Sequence, residues 1–457
     1  MYKMWEIMER ANTGPFCEVE DFNVKIFMPK IKELIKKYEI KFDPDSPVPA
    51  DDDLADRVWQ AATELFLEVG VLNVDSHRRI LLDDAELREA LYHAPGQYLV
   101  GAGKEARWWR HRGPEDTRPP FCIFSGDITC DEEIFLPMSM AYLQEPLADS
   151  VCAPILEESM GRKIKAGSPT EMAGVVEHAM SLRQAAKLVG RPGLCLVAVG
   201  TALTDAGQIA VSNDEWGVRQ SDARLIGVLS ELNIDNELLN KIAHCNQFGC
   251  FIGCLSGAIY GGYAGRAEGT AILETAYHLV GLTIYQAHFQ QSFPFHLHHT
   301  SNSGREMLWV VSVTHQAVSR NSRILTTSNG FLNAGSGTEM VLYEAAAHGL
   351  ASTVSGGDLW ETAVARNKYR NYATPLEARL ACEVGHAVAG QAMTRAQANA
   401  IVLELLSQYE DRIADAPKGK PFQECYDVRS AQPMTWYLDM FKSVKEKVAA
   451  LGVDFPY

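Results

Sequence analysis

Short runs of apolar and β-branched residues recur along the chain after residue 120, each bounded by Gly, Pro or polar turn residues. The runs cover residues 121–125, 151–156, 194–199, 224–229, 250–255, 282–288, 323–327 and 350–355. Between most of them, apolar residues return every three or four positions, the spacing of a helix with one face on a core. Strands that alternate with helices in this way predict a (β/α)8 TIM barrel.

The intervening segments divide the chain into an N-terminal extension and a barrel. The helices between strands are clearest at 172–189, 236–244, 266–280, 306–319 and 339–348. Residues 1–115 predict a helical extension, with helices at 29–38, 52–69 and 84–92 and a basic-aromatic segment at 104–112. No flexible linker follows, so we expect the extension to pack on the barrel. Residues 116–457 then hold the barrel and C-terminal helices at 375–390, 394–409 and 436–451.

Composition narrows the class of protein. Of 457 residues, 47% are hydrophobic and 22% charged, which is typical of a globular chain. The net charge of -16 argues against nucleic acid as a partner, because phosphate contacts require clustered Lys and Arg. The N-terminal residues MYKMWEIMERANTG lack the apolar stretch of a signal peptide, and no run of about 18 apolar residues predicts a membrane span. The 10 cysteines lack CxxC spacing. We therefore expect a cytoplasmic protein without a membrane partner.

Residues 190–210, GRPGLCLVAVGTALTDAGQIA, resemble a segment of the monomethylamine methyltransferases of methanogens. Further similar blocks lie at 231–235, 260–265, 338–340, 376–379 and 422–428. The resemblance covers most of the chain after residue 120 and, more loosely, the part before it. It implies a corrinoid-dependent methyltransferase that forms a homo-oligomer, often a hexamer. It also implies that the corrinoid (cobalamin) belongs to a partner protein, so we expect no tightly bound cofactor here.

The resemblance also indicates candidate pocket residues. The family's pyrrolysine position corresponds to Gly200, two glutamate positions to Leu225 and Leu255, and a glutamine position to Asn329. In the family these positions meet in one cavity at the carboxyl ends of the strands. The barrel rule fits Gly200, Leu255 and Asn329 directly, and Leu225 less well because the predicted fourth strand begins beside it. The chain thus lacks the reactive and charged groups, and we expect the space of a long side chain to be free at Gly200.

This loss favours a substrate that is already cationic. Methyl transfer from nitrogen to cobalt(I) requires a neutral leaving amine, so the reacting nitrogen must carry positive charge beforehand. Gly200, Leu225 and Leu255 can neither form a covalent adduct with methylamine nor supply a counter-charge. A quaternary amine needs neither, and aromatic faces bind such cations at ~0.5–2 kcal/mol per contact. We therefore expect a small quaternary amine as the methyl donor.

Aromatic residues that could hold this cation are concentrated in one loop, 288–299, with the sequence HFQQSFPFHLHH. Phe289, Phe293 and Phe295 lie close together there, either around a substrate or packed on the helical shell. Further candidates near other predicted strand ends, for which core packing is the alternative, are Tyr260, Trp216, Phe331 and Trp360.

The same loop contains His296, His298 and His299. Alternate residues of an extended loop point the same way, so two of these side chains are spaced as metal ligands would be. No carboxylate or cysteine at suitable spacing accompanies them, so we expect no bound metal, but rather a contact with a substrate carboxylate or the incoming corrinoid.

Four acidic residues near predicted strand or helix ends complete the candidates. Asp127, Glu157 and Asp358 follow predicted strands and could replace the missing glutamates. Glu339 opens a predicted helix, where a carboxylate is expected for structural reasons.

Three other functions stay open. The substrate could be a methoxy or methylthio compound, whose leaving group needs an acid. The barrel could also bind a corrinoid protein without catalysis. An unrelated barrel lyase or hydrolase would need its own acid and base.

Overall fold

The computed structural model describes residues 2–197, 200–365 and 368–456 of the chain. Within these residues, eight parallel strands close into a barrel, which confirms the predicted (β/α)8 fold. Numbered in chain order, they are β1 (Cys122–Ser125), β2 (Ser150–Cys152), β3 (Cys195–Val197), β4 (Ala223–Gly227), β5 (Phe251–Ser256), β6 (Phe289–Ser292), β7 (Leu325–Phe331) and β8 (Asp358–Ala363). Pairing of β8 with β1, Leu359 opposite Cys122, closes the ring.

Helices surround the barrel and extend it at both ends of the chain. They are α1 (Tyr2–Thr13), α2 (Met28–Lys37), α3 (Asp52–Val69), α4 (Asp84–His93), α5 (Glu132–Leu143), α6 (Pro169–Leu188), α7 (Asp205–Ala210), α8 (Asn236–Phe248), α9 (Ala267–Thr283), α10 (Arg305–Asn321), α11 (Glu339–Val354), α12 (Pro375–Gly390), α13 (Arg395–Leu406) and α14 (Thr435–Ala450). None of the helices in the described residues is long and apolar enough to span a membrane.

Shorter elements fill the connections. Helical turns lie at Val19–Asp21, Gly103–Glu105, Glu410–Arg412 and Phe422–Cys425, and a π-helical stretch at Phe22–Phe27. Short strands outside the barrel lie at Val71–Asn73, Arg78–Ile80, Gln97–Val100, Arg107–Arg110, Thr129–Cys130, Ile155–Leu156, Glu158–Ser159, Arg162–Lys163, Asn233–Ile234, Ile259–Tyr260, Phe295–His296, Tyr426–Asp427 and Gln432–Pro433.

Local signals explain several helix boundaries. The side chain of Asp51 accepts a hydrogen bond from the backbone N–H of Leu54 and so caps α3. Asp83 and Glu86 form a reciprocal capping box at the start of α4. Gly249 ends α8 in the left-handed conformation, which glycine adopts without steric cost.

Two predicted strands were wrong. Residues 282–288 contain the end of α9, and the sixth strand begins only at Phe289; residues 350–355 contain the end of α11, and the eighth strand begins at Asp358. Both helices are buried on nearly all sides, so their sequences lack the polar face that marks a helix. The predicted third strand also included residues 198 and 199, which lie outside the described residues.

The N-terminal extension packs on the barrel's outer helices and also closes the bottom of the barrel. α3 contacts α9 and α10 within one hydrophobic core. The basic-aromatic segment contributes Arg107–Arg110 to a hairpin, and Trp109 stacks on Phe121 with ring centroids 4.4 Å apart. Because this hairpin covers the amino ends of the strands, the barrel opens at their carboxyl ends.

Candidate functional site

The inner wall of the barrel follows from strand alternation. Arg224 and Ile226 of β4 point outward, since Arg224 hydrogen-bonds to Gln208 of α7 and Ile226 packs with the outer helices. Leu225 therefore faces inward and packs with the interior cluster. Leu225 lies in the middle of β4, which begins one residue before the predicted strand 224–229.

The wall is open where β4 and β5 end. Gly227 lies opposite Leu255 in the ladder, and Leu255 lies opposite Gln291. A Cβ atom on Gly227 would meet no heavy atom within 4 Å. Leu225 and Leu255 are both partly exposed. The structure thus places open space beside two hydrocarbon side chains on the inner wall, a region called the mouth below.

Asn329 joins this wall from β7. Its neighbour Ser328 points outward to His348, so the Asn329 side chain faces the interior. Asn329 lies opposite Trp360 of β8 and is almost fully buried, at 2% exposure. Leu225, Leu255 and Asn329 are therefore all inner-wall residues.

Gly200 follows β3 in a turn. It lines a cleft of about 440 Å³ between the loops after β1, β2 and β3, called the side cleft below, together with Ile155, Glu157 and Lys163. A Cβ atom on Gly200 would lie 2.6 Å from Cγ1 of Ile155, so a side chain there would displace Ile155 before it extended into the cleft. The β3 side chains that pack in the barrel interior are Cys195 and Val197. The alternation of side chains along residues 195–197 is the sequence signal that could have identified these two residues. A contact between Gly200 and the substrate stays a prediction.

Asp127 is the predicted acid that contacts inner-wall residues. It follows β1 and is partly exposed. The indole N–H of Trp360 donates to its Oδ2 over 3.2 Å, and the Cys152 thiol donates to its Oδ1 over 3.1 Å. Two donors from neighbouring strands thus orient this carboxylate.

The other predicted acids do not lie in the mouth. Glu157 lies in the side cleft and pairs with Arg370. Asp358 lies at the start of β8, not after it, where it accepts a hydrogen bond from Trp109 over 2.6 Å. Burial raises the pKa of Asp358 to about 6. Glu339 pairs with Lys447 on the surface at the start of α11.

The predicted aromatic residues separate into two groups. Phe293 stacks between Phe295 and Phe331, at 5.8 and 5.3 Å, and all three are partly exposed. Phe289 instead lies deep in the barrel, 4.7 Å from Trp109. Trp360 is also fully buried, so it orients Asp127 rather than facing the mouth.

Tyr260 and Trp216 lie further out. Tyr260 stacks on His296 with centroids 4.9 Å apart, in the small sheet above β5 and β6. Trp216 lines a separate groove along α6 with Met160 and Met180. It is not a mouth residue.

The three histidines form a compact turn above β6. The backbone N–H groups of His298 and His299 both donate to Nδ1 of His296. Burial lowers the pKa of His296 to about 4, so this ring is neutral near pH 7. Across the described residues, no group of three or more His, Cys, Asp or Glu side chains is placed to hold a metal ion.

Buried carboxylates behind the strands hold the mouth loops, which sequence patterns had not indicated. Glu274 of α9 accepts from the backbone N–H of Ala258, after β5, over 2.7 Å. Glu344 of α11 accepts from the N–H of Asn333, after β7, over 2.8 Å. Burial raises the pKa of both Glu274 and Glu344. The scaffold of the mouth is therefore acidic on its outer side, while its inner wall is largely apolar.

Comparisons with known proteins agree with this geometry. The profile of the family described as "Monomethylamine methyltransferase MtmB" matches residues 2–453. MtmB2 of Methanosarcina acetivorans and MtmB of Methanosarcina mazei are each 30% identical over 458 residues, covering 99% of both chains. The crystal structure of the Methanosarcina barkeri monomethylamine methyltransferase superimposes with a TM-score of 0.95 at 29% identity, covering 99% of this chain and 98% of that one.

Proposed function

The chain belongs to the monomethylamine methyltransferase family, and on that premise we propose that it transfers a methyl group from a small quaternary amine to the cobalt(I) of a corrinoid carried by a partner protein. The observation that carries the choice of substrate is the inner wall of the mouth. Leu225 and Leu255 offer hydrocarbon there, and Asp127 offers one oriented carboxylate. Such a wall suits a donor that carries its positive charge permanently.

The charge distribution supports a cation. Asp127 provides negative charge after β1, and the partly exposed aromatic rings of Phe293 and Phe331 lie at the carboxyl ends of β6 and β7. A carboxylate and aromatic faces both attract a quaternary ammonium group. Leu225 and Leu255 exclude water from the methyl groups between them.

The transfer balances without an added proton. The C–N bond breaks with both electrons on nitrogen, so a neutral tertiary amine leaves. Cobalt(I) of the partner's corrinoid is the co-substrate, and its electron pair forms the new bond to carbon. The residues of this chain bind and orient the donor; none is required to act as an acid or as a nucleophile.

The rim of the mouth suits a large partner. Exposed apolar side chains follow several strands, on separate loops: Leu203, Leu229, Tyr263 and Leu297. Exposed apolar side chains grouped around a pocket mark interaction sites. The proposal therefore includes docking of the corrinoid protein on this rim. By family likeness it extends to a cytoplasmic homo-oligomer, a hexamer.

The test compares methyl donors and one acidic residue. The full chain, mixed with free cob(I)alamin, should methylate cobalt from tetramethylammonium faster than from monomethylamine, as followed in the cobalt absorption spectrum. Asp127→Asn should weaken tetramethylammonium binding about tenfold or more, since a charge pair ~4 Å apart near a surface contributes up to ~4 kcal/mol before desolvation. Isothermal titration calorimetry measures this affinity.

Glu157→Gln is the matched control, because that acid follows Ile155–Leu156 outside the mouth and pairs with Arg370. It should leave tetramethylammonium affinity unchanged. Faster transfer from monomethylamine or from a methoxy compound would contradict the proposal. So would an Asp127→Asn variant with the affinity of the parent chain.

A further inference from the structure

Two buried amide side chains on the inner wall lack partners. Gln291 of β6 is fully buried, and neither its Nε2 nor its Oε1 has a hydrogen-bond partner within the described residues. Oδ1 of Asn329 on β7 is likewise buried and unpartnered there. An unsatisfied buried polar atom costs ~1–3 kcal/mol, so these atoms call for an explanation.

Both amides face the barrel interior. The neighbours of Gln291 lie on the outer side of the strand. A Cβ atom on Gly281 of α9 would contact the side chain of Gln290. The side chain of Ser292 interacts with Glu274, also of α9. Gln291 lies opposite Thr327, two residues before Asn329 on the adjacent strand. The two amides therefore occupy successive inward levels on neighbouring strands, with their Cα atoms roughly 8 Å apart.

They also lie beside the proposed cation site. Asn329 is opposite Trp360, whose indole orients Asp127. Gln291 lies at the level of Leu255 and of the open space beside Gly227. If the Gln291 amide turned toward this space, it would hydrogen-bond to a molecule bound there instead of staying unpartnered. From β6 to β8 the wall spans two strand spacings, roughly 10 Å, which suits a small two-ended molecule.

The charges indicate which polar group fits. An amide both donates and accepts, as a hydroxyl does. Among the described strand residues of the barrel, Arg224 is the one basic side chain, and it points outward. A substrate carboxylate at Gln291 would therefore be buried without a counter-charge, which is unfavourable.

We propose that Gln291 and Asn329 bind the hydroxyl group of the substrate, and that the methyl donor is a quaternary ammonium alcohol. This proposal rests on the quaternary amine function proposed above. It adds a second recognition point, which distinguishes an amino alcohol from a purely alkyl ammonium ion and from a betaine.

Three matched probes test it on the full chain by calorimetry: choline, n-propyltrimethylammonium, which replaces the hydroxyl by a methyl group, and glycine betaine. We expect choline to bind about tenfold or more tightly than the propyl compound, the ratio for ~1.4 kcal/mol from one satisfied polar group. Equal binding of choline and the propyl compound, or tighter binding of glycine betaine, would overturn the hydroxyl site while leaving the quaternary amine function intact. Failure of all three to bind would overturn both proposals.

Gln291→Leu separates binding from folding. Its melting temperature should equal or exceed that of the parent, because leucine removes an unsatisfied amide. Its preference for choline over the propyl compound should disappear. Thr327→Val is the control, since Thr327 is opposite Gln291 but its hydroxyl already donates to the Gln290 carbonyl. It should retain the preference; a Gln291→Leu variant that also retains it would refute the assignment.

Discussion

Filling the open space beside Gly227 tests the location of the site directly. Gly227 ends β4 on the inner wall, and its Cβ position is free within 4 Å. Gly227→Ala should therefore be neutral or stabilising by up to ~1 kcal/mol, because alanine reduces the entropy of the unfolded chain. Gly227→Phe should also fold, since the ring enters open space. It should weaken tetramethylammonium binding about tenfold or more, a loss of at least ~1.4 kcal/mol.

Gly253, opposite Leu225 on the next strand, is the contrasting position. A Cβ atom there would lie 2.3 Å from Cζ of Phe289, whereas carbon atoms in contact lie about 3.5–4.0 Å apart. The ring of Phe289 cannot easily move away, because its centroid lies 4.7 Å from that of Trp109 and 6.4 Å from that of Trp360. Gly253→Ala should thus destabilise the fold by about 1–3 kcal/mol, the usual cost of overpacking.

Urea unfolding followed by circular dichroism gives the free energies, and calorimetry gives the affinities. The reasoning requires the two effects to separate: Gly227→Phe loses binding without losing stability, and Gly253→Ala loses stability. A Gly227→Phe variant that binds tetramethylammonium as tightly as the parent would refute the placement of the substrate at the mouth. Strong destabilisation by Gly227→Ala would refute the open space itself.

Two further predictions concern stability. Burial raises the pKa of Glu377 from 4.5 to about 7. The contribution of Glu377 to the unfolding free energy should therefore fall by roughly 3 kcal/mol as pH rises from about 4.5 to about 7. Urea titrations at several pH values should show this dependence in the parent chain and not in Glu377→Gln. Gly349→Ala should lower the unfolding free energy by about 1–3 kcal/mol, because its Cβ would lie 2.6 Å from the Ala381 carbonyl oxygen. Gly390→Ala is the control and should not lower it, since a Cβ there would meet no heavy atom within 4 Å. Equal melting temperatures of the two variants would contradict this.

The barrel could be predicted from the sequence because most of its helices have one polar face and one apolar face. The predicted bounds of two helices, α3 and α12, match the structure residue for residue. The errors fall where burial is complete. α9 and α11 have almost no solvent face. The strand Phe289–Ser292 reads as polar because it contains Gln290 and Gln291, although both are buried.

The site was predictable only in part, because a motif identifies a segment and not the direction of each side chain. Leu225, Leu255 and Asn329 lie on the inner wall; their contact with a substrate stays a prediction. Gly200 follows its strand in a turn and lines the side cleft, a position that the motif does not specify. Gln291 could not be identified as a site residue, because only its depth in the barrel reveals that its amide lacks partners.

The division between scaffold and wall explains how the mouth can differ in chemistry without loss of the fold. Glu274 and Glu344 fix the loops after β5 and β7 from behind the strands, through backbone hydrogen bonds that involve no mouth side chain. Leu225 and Leu255 face the opposite side of their strands and support no loop through their side chains. Substitutions at these inner positions should therefore alter which donor binds at small cost in stability, whereas Glu274→Gln should displace the loop after β5 and weaken every donor alike.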